Sequence, residues 1–387
     1  MKRRGPRIAI VGAGLGGPVA ATLLQRAGFD VRVYEQAKAF GRLGAGIHVT
    51  PNVVRILQRI GVGQRLADAG VRPLAWISRK WDTGEVLVNH PLGDQAESRY
   101  GAPYLTVHRG DFHALLIDAV RPGTIEFGKR LQDLEPSEDV VRLRFADGTE
   151  VEADVVIGAD GVRSRVREVL IGPERPRFTK QVAHRSIFPV ASLNGLKLDD
   201  FTRWTAEDRA FLHYFIRRSR QEIYFVARSP EPEWPHESSS VPADLDALKA
   251  AFEGFHWQVQ RILDACTEAS KWAIFESDPL TVWSRGRIVL LGDACHPMTP
   301  NIGQGAAMAI EDAAMLARCI EASSTDFEQA FRLYEANRQA RTMRIQGTSH
   351  TNTWLAEKGD ADWVYGYDVF AVPLITPVAV SSQRRST

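Results

Sequence analysis

The sequence predicts an α/β protein: a doubly wound lobe on a parallel sheet, interrupted by an α+β lobe over a mainly antiparallel sheet. Three observations predict it. The apolar run Arg7–Val11 passes directly into the turn Gly12-Ala-Gly14-Leu-Gly16-Gly17 and then into apolar residues at helical spacing. Two later apolar runs, Asp154–Ile157 and Arg287–Leu291, end in the glycine turns Gly158-Ala-Asp160-Gly161 and Gly292-Asp293. Between them, Phe211, His213 and Phe215, then Ile223 and Phe225, alternate about the turn Arg217-Arg-Ser-Arg220, the pattern of an antiparallel hairpin.

The elements follow in order. Arg7–Val11 is β-branched and apolar, as a strand buried on both faces requires. Gly12 permits the tight turn, Gly14 lets backbone approach a pyrophosphate, and Gly17 lets helix pack closely on strand. Val19, Ala20, Leu23, Leu24 and Ala27 give that helix its buried stripe before Gly28 ends it. A second strand, Asp30–Tyr34, runs to Glu35, about 20 residues past the first glycine, where a carboxylate accepts ribose hydroxyls. A glycine motif alone is weak, but strand, turn, helix, second strand and acidic end agree on a Rossmann-type dinucleotide site. They do not separate FAD from NAD.

Farther on, Asp147-Gly148 joins two alternating runs as a hairpin leading to Asp154–Ile157. The turn after that strand is also open to a plain reading, a helix capped by Asp160 or Ser164. Residues 243–271 and 326–345 are expected to be helical, Ser229-Pro230 with Pro232 and Pro235 to be a loop, and the tail after Ser381 disordered. Gly303-Gln-Gly305 opens an Ala-rich helix carrying Glu311 and Asp312.

Composition limits the function. The 387 residues hold 44% hydrophobic residues, including 9 Trp and 17 Phe, so a disordered chain is excluded. With 48 Lys+Arg against 47 Asp+Glu, no global field attracts nucleic acid or an anionic membrane. Cys266, Cys295 and Cys319 are widely spaced without CxxC, so neither a disulfide framework nor a metal site is expected, and a reducing cytoplasm fits. Val369–Val380 is too short for a membrane span and contains Pro373 and Pro377; no signal-peptide apolar region precedes the first glycine turn.

Together, and in this order, the three glycine-containing segments resemble the class A flavoprotein aromatic hydroxylases, the para-hydroxybenzoate and salicylate hydroxylase family. The similarity covers most of the chain. It includes Gly44-Ala-Gly-Ile-His48, Pro51-Asn52, His108-Arg-Gly-Asp111, Phe127-Gly-Lys-Arg130, Val182-Ala-His-Arg185, Trp204 with Glu207-Asp-Arg209, and Val364-Tyr-Gly-Tyr-Asp368. The resemblance implies the para-hydroxybenzoate hydroxylase fold with FAD as resident cofactor. It assigns Gly12, Gly14, Gly17 and Glu35 to the ADP end, Arg109 to an FAD contact, and Asp160 with Gly161 to both FAD and nicotinamide. Asp293 is assigned to the ribityl chain, and Pro297 with Gly303 and Gly305 to the segment beside the isoalloxazine ring. NADH or NADPH has no second glycine turn and enters as a transient co-substrate. The expected division is 1–71, 99–180 and 275–345 for the FAD lobe, 72–98 and 181–274 for the substrate lobe, and 346–387 for a C-terminal segment, in a monomer or homodimer.

The implied reaction uses NAD(P)H to reduce FAD and O2 to form a C4a-hydroperoxide, whose distal oxygen an electron-rich ring attacks. Ring attack is eased by a base or acceptor at the ring hydroxyl. The implied substrate is a hydroxylated aromatic or pyridine carboxylic acid, with CO2 released where the attacked carbon carries the carboxylate. His48, His213 and Tyr214 are the candidate substrate-lobe groups. For His48 the alternative is a histidine packed under the flavin, for Tyr214 a core aromatic of its strand; His213 falls on the opposite face of that strand from Tyr214. His296 is expected near the flavin, with its side chain capping the loop, and Cys295 as a small buried thiol. Where a pyridine-carboxylate hydroxylase of the family has Cys, His and His in its pocket, this chain carries Phe201, Ala210 and Asn301. Other readings are a non-decarboxylating hydroxylase of another phenol or hydroxypyridine and a non-enzymatic FAD-binding redox protein.

Overall fold

Ile8, Ala9, Ile10 and Val11 are all buried, the condition for a strand covered on both faces. In the computed structural model, which describes residues 5–42, 44–173, 176–351 and 361–377, this strand lies inside a six-stranded sheet. The tail expected to be disordered falls outside the described residues. The strand's parallel neighbours are Asp30–Glu35 and Val155–Gly158, with Ile125–Phe127 beyond the first and Ile288–Leu290 beyond the second. Only the two-residue edge strand Ser284–Arg285 is antiparallel. The three glycine turns therefore meet at the carboxyl ends of adjacent parallel strands, where ligands bind in open α/β sheets.

The first turn shows why its glycines are needed. Gly12 has φ +103, and a Cβ there would stand 2.3 Å from the Ala159 carbonyl oxygen of the neighbouring turn. A Cβ on Gly17 would stand 2.1 Å from the Gly12 oxygen, so the helix Gly16–Arg26 can approach its strand only with hydrogen at that position.

A second, eight-stranded sheet draws its strands from 75–91 and 177–276. Its order is Ser240–Pro242, Ser270–Glu276, Arg177–Pro189, Glu222–Pro230, Ala210–Phe215, Phe201–Thr205, Ala75–Lys80 and Val86–Pro91. One face carries Trp204, Phe211, Ile223 and Phe225 and is buried under the helices Leu245–Ala251 and Trp257–Ala265. The other face looks toward the FAD-type lobe.

Three sequence expectations change. Residues 243–271 are helical over Leu245–Ala251 and Trp257–Ala265, with a break at Gly254 of φ +79, and Ser270 already begins a strand. Ser229 and Pro230 close a strand instead of opening a loop: pairing with Arg177–Pro189 runs to Gln181 opposite Pro230, and a proline at the last position costs little because the ladder ends there. The helix expected over 326–345 spans Phe327–Thr351. No helix among the described residues is long and apolar enough to cross a membrane.

The helices Gly305–Ala322 and Phe327–Thr351 are joined by buried charge. Arg338 is sealed from water and donates to Glu311 at 2.7 Å and to Asp312 at 2.6 Å; Arg341 and Asn52 both donate to Glu311 at 2.7 Å. Removing one member leaves a buried charge unmatched. Arg338→Met is expected to lower unfolding free energy by about 3–5 kcal/mol, measured by urea unfolding; a loss within experimental error would show that the network contributes nothing net.

Candidate active site

The nucleotide end is built at the first turn. The Glu35 carboxylate accepts from the Ala13 N–H and the Ala37 N–H, both at 2.8 Å, and so braces the turn. A Cβ on Gly14 would meet nothing within 4 Å, so the turn presents open backbone there. The helix that follows has no side-chain cap, and its first N–H groups are left for an external acceptor. Asp160 uses both carboxylate oxygens internally, accepting from Ser164 Oγ at 2.5 Å, Arg165 N–H at 2.7 Å and Val166 N–H at 3.1 Å. Ser164 is itself the helix cap, accepting from the Arg167 N–H. The contacts of Asp160 within the protein are thus those of the plain capping reading.

Arg109 and Asp293 face each other across this cleft. Burial lowers the guanidinium and raises the Asp293 carboxyl, and each eases the other's cost. Among the described residues the Arg109 side chain donates no hydrogen bond and the Asp293 carboxylate accepts none. An anion for the helix end and Arg109, with hydroxyl donors for Asp293, completes these groups. A dinucleotide with a polyol chain has both, so the residues fit FAD.

A cavity of about 280 Å3 lies between the eight-stranded sheet and the segment Met298–Ala306. His48 enters it from the strand Gly46–Val49, with Nδ1 2.9 Å from the Tyr104 hydroxyl and the ring edge-on to Phe201 and Tyr214. Burial pushes its pKa down to about 4, so the ring is neutral at physiological pH. A Cβ on Gly303 would stand 2.7 Å from His48 Cε1. The histidine is therefore both packed against the Gly303–Gly305 turn and open to the cavity. Tyr214 stacks on Phe201, 5.2 Å between centroids and 5° between planes, and burial holds its phenol well above the ordinary value. Its hydroxyl makes no hydrogen bond among the described residues.

The structure removes His213 from the site. It lies on the helix-covered face, 5.3 Å from the Trp204 ring, with Nε2 3.1 Å from the Asp199 carbonyl oxygen. Strand alternation aims it away from the cavity that Tyr214 lines. Gly303 and Gly305 line the cavity, and the Pro297 carbonyl accepts from Gln346. His296 caps no loop. It is buried, which lowers its pKa, but it lies against Asp312, whose carboxylate raises it above the ordinary value. Cys295, His296 and Asp312 place ligand-type atoms within 4.8 Å of one another. The carboxylate oxygens of Asp312 are already taken by His296, Arg338 and the Gly292 N–H, which describes an ion network.

Sequence reasoning missed three arginines. Arg185, Arg203 and Arg228 all line the cavity. Arg185 figured only within a motif, and Arg203 and Arg228 carried no reading. Their signal is the period of two: Phe201 and Arg203, Ala210, Leu212 and Tyr214, Tyr224, Val226 and Arg228 share one face. Extending Tyr214's phase across the sheet finds them. Burial and the neighbouring Arg228 bring Arg203 down to about 10. The departures Phe201, Ala210 and Asn301 also line the cavity, and the Asn301 Oδ1 accepts from Arg228 at 3.1 Å.

The sequence pattern of the FAD binding domain family matches residues 6–347. The chain belongs to this family. It is 54% identical over 372 residues, spanning 96% of this chain and 97% of the relative, to 6-hydroxynicotinate 3-monooxygenase of Bordetella bronchiseptica. It is 52% identical over 375 residues, 96% and 97% of the two chains, to the enzyme of that name from Pseudomonas fluorescens. Among solved structures, a salicylate hydroxylase substrate complex matches with TM-score 0.82 at 25% identity, covering 96% of this chain and 97% of the other. The protein is an FAD-dependent aromatic-ring monooxygenase with the flavoprotein hydroxylase fold, which excludes the non-enzymatic reading.

Burial holds several histidines of this monooxygenase in neutral form, three of them far below the ordinary value. His48, His184 and His213 are each pushed down to about 4, chiefly by burial. Between the ordinary value near 6.5 and 4, the unfolded chain binds protons that the folded chain refuses, so stability falls as pH drops through that window. Urea unfolding at several pH values is expected to show this slope, and His213→Asn to reduce it by about one proton, roughly 1.4 kcal/mol per pH unit. A slope unaltered by His213→Asn contradicts a neutral buried His213.

Proposed function

We propose that this monooxygenase hydroxylates a hydroxylated aromatic or N-heteroaromatic carboxylic acid, using NAD(P)H and O2, with loss of CO2 where the attacked carbon carries the carboxylate. 6-Hydroxynicotinate, the substrate in the name of its curated relatives, is the first compound to test. The observation that carries the reading is one cavity lined by a neutral His48–Tyr104 pair, the Tyr214 hydroxyl and arginine guanidiniums. A ring with a hydroxyl at one end and an acid at the other is complementary to it. Three buried cysteines with no disulfide agree with a reducing cytoplasm.

Gly12, Gly14, Gly17 and Glu35 would hold the ADP end of FAD, with Arg109 at its phosphates, Asp293 at its polyol chain, and Gly303 and Gly305 beside the ring system. When bound, FAD supplies reduction by NAD(P)H and activation of O2 for transfer to the ring. The chain's own groups orient the substrate. With the His48 Nδ1–H donating to the Tyr104 oxygen, Nε2 accepts from the substrate hydroxyl and makes the ring more electron-rich. A group at about 4 polarises that hydroxyl without carrying a resident charge. Tyr214 donates its phenolic proton to a substrate oxygen. The guanidiniums take the carboxylate in bidentate pairs, and the aromatic wall of Trp76, Phe201 and Tyr104 excludes water from the ring.

NADH oxidation by the flavin-loaded enzyme, with and without 6-hydroxynicotinate, tests the reading. Stimulation, with a product that has gained an oxygen and lost the carboxyl group, is the expected result for the decarboxylating reaction. Stimulation only by other hydroxylated ring acids moves the substrate, and stimulation by none of them overturns the proposal. Asp293→Ala is expected to lose FAD on gel filtration; full flavin occupancy removes Asp293 from the cofactor site. Tyr214→Phe is expected to keep its flavin and lower substrate-stimulated NADH oxidation about tenfold, the value of a hydrogen bond to a charged or polarised group. Unchanged kinetics would remove Tyr214 from the site.

A further inference from the structure

The sheet face of the cavity carries more positive charge than one carboxylate uses. Arg185 and Arg228 stand on neighbouring antiparallel strands, Arg185 opposite Val226 and Arg228 opposite Ala183. They are diagonal neighbours on one face, their roots about 7 Å apart. Among the described residues neither is paired with a carboxylate. Arg228 donates to the neutral amide oxygen of Asn301 at 3.1 Å, and the nearby Asp208 is bound to Arg209 through both its oxygens. Arg185 donates no hydrogen bond among the described residues; its Nε is buried without a partner and its guanidinium lies 5.2 Å from the Trp272 ring. The cavity's carboxylate, Asp293, faces Arg109.

Two sequence departures converge on Arg228. Ala210 is its direct cross-strand neighbour on the other side, so the side chain opposite Arg228 on that strand is only a methyl group. Asn301 holds it from the opposite wall with an acceptor that brings no charge. A small neighbour and an uncharged tether leave a cation aimed at space. Buried cations without an anion are costly, and a bidentate carboxylate is the group that satisfies a guanidinium fork.

We propose that the natural substrate is a hydroxylated aromatic or pyridine dicarboxylate, one acid group taken by Arg185 and the other by Arg228. This rests on the reading of the cavity as the ring-acid site and narrows it. Both arginines line the cavity from adjacent strands of one face, so two acid groups on one ring can each meet a guanidinium, and a monocarboxylate leaves one guanidinium unmatched.

The test titrates the FAD-loaded enzyme with matched pairs, following flavin absorbance and NADH oxidation: 6-hydroxynicotinate against 2-hydroxypyridine-3,5-dicarboxylate, and 4-hydroxybenzoate against 4-hydroxyisophthalate. The dicarboxylate of at least one pair is expected to bind about tenfold tighter or more, in line with one added charge-assisted interaction. Arg228→Gln and Arg185→Gln are each expected to collapse that ratio toward one. Ala210→His, which fills the space beside Arg228, is expected to weaken dicarboxylate binding about tenfold with flavin retained, and serves if an arginine variant does not fold. Monocarboxylates bound as tightly as their dicarboxylate partners, or a ratio that survives both arginine substitutions, would overturn this inference and leave the ring-acid reading standing. No flavin perturbation and no stimulation by any of the four acids overturns the ring-acid reading and this inference with it.

Discussion

The architecture of the site depends on the ion network sealed between two long helices. Arg338, Glu311 and Asp312 have essentially no contact with water; Arg341, one turn along the helix of Arg338, joins them, and Asn52 and His296 extend the network to two further parts of the chain. Burial raises both carboxylates and the surrounding cations bring them back below their ordinary values, so the charges survive only together. Buried ion pairs are poor sources of net stability, yet they are strict about geometry, because a misplaced partner strands a charge. The Gly292–His296 turn hangs from Asp312 through the Gly292 N–H and the His296 ring. Asp293, within that turn, and Gly305, at the start of the helix that carries Glu311 and Asp312, therefore inherit their places from it.

A second constraint is the pleat of the eight-stranded sheet. Each strand contributes one set of side chains to the apolar cluster under the two short helices and the other set to the cavity. A register slip of one residue would exchange Tyr214 for His213 and Arg203 for Trp204. The bulky residues on the covered face oppose that exchange, since Trp204, Phe211 and Phe225 would leave their fully buried cluster under the helices. Packing on one face thus fixes the chemistry of the other.

The cavity divides its chemistry by burial. His48 is neutral because it is enclosed, and its partner Tyr104 stays protonated for the same reason. The arginines keep their charge at a cost, eased in Arg109 by Asp293. A neutral acceptor beside a cationic wall polarises a hydroxylated ring and holds its acid groups with little competition from protein carboxylates.

The sequence by itself determined the parallel-sheet lobe, its glycine turns and the flavoprotein hydroxylase family, because strand, turn and helix there are set by neighbours within some thirty residues. Gly12, Gly17 and Glu35 could be read one motif at a time. It also separated His213 from Tyr214 by alternation, though not which of the two faces would be covered. Tertiary structure alone decided that, and with it the removal of His213, the inward aim of Arg203 and Arg228, the pairing of His296 with Asp312 and the splitting of residues 243–271 into two helices and a strand. Those outcomes depend on contacts between residues far apart in the chain: Asn301 reaches Arg228 from 73 residues away and Asn52 reaches Glu311 from 259. No local pattern encodes which distant side chain will complete a buried charge, so the scaffold was legible in advance and the substrate-binding groups were not.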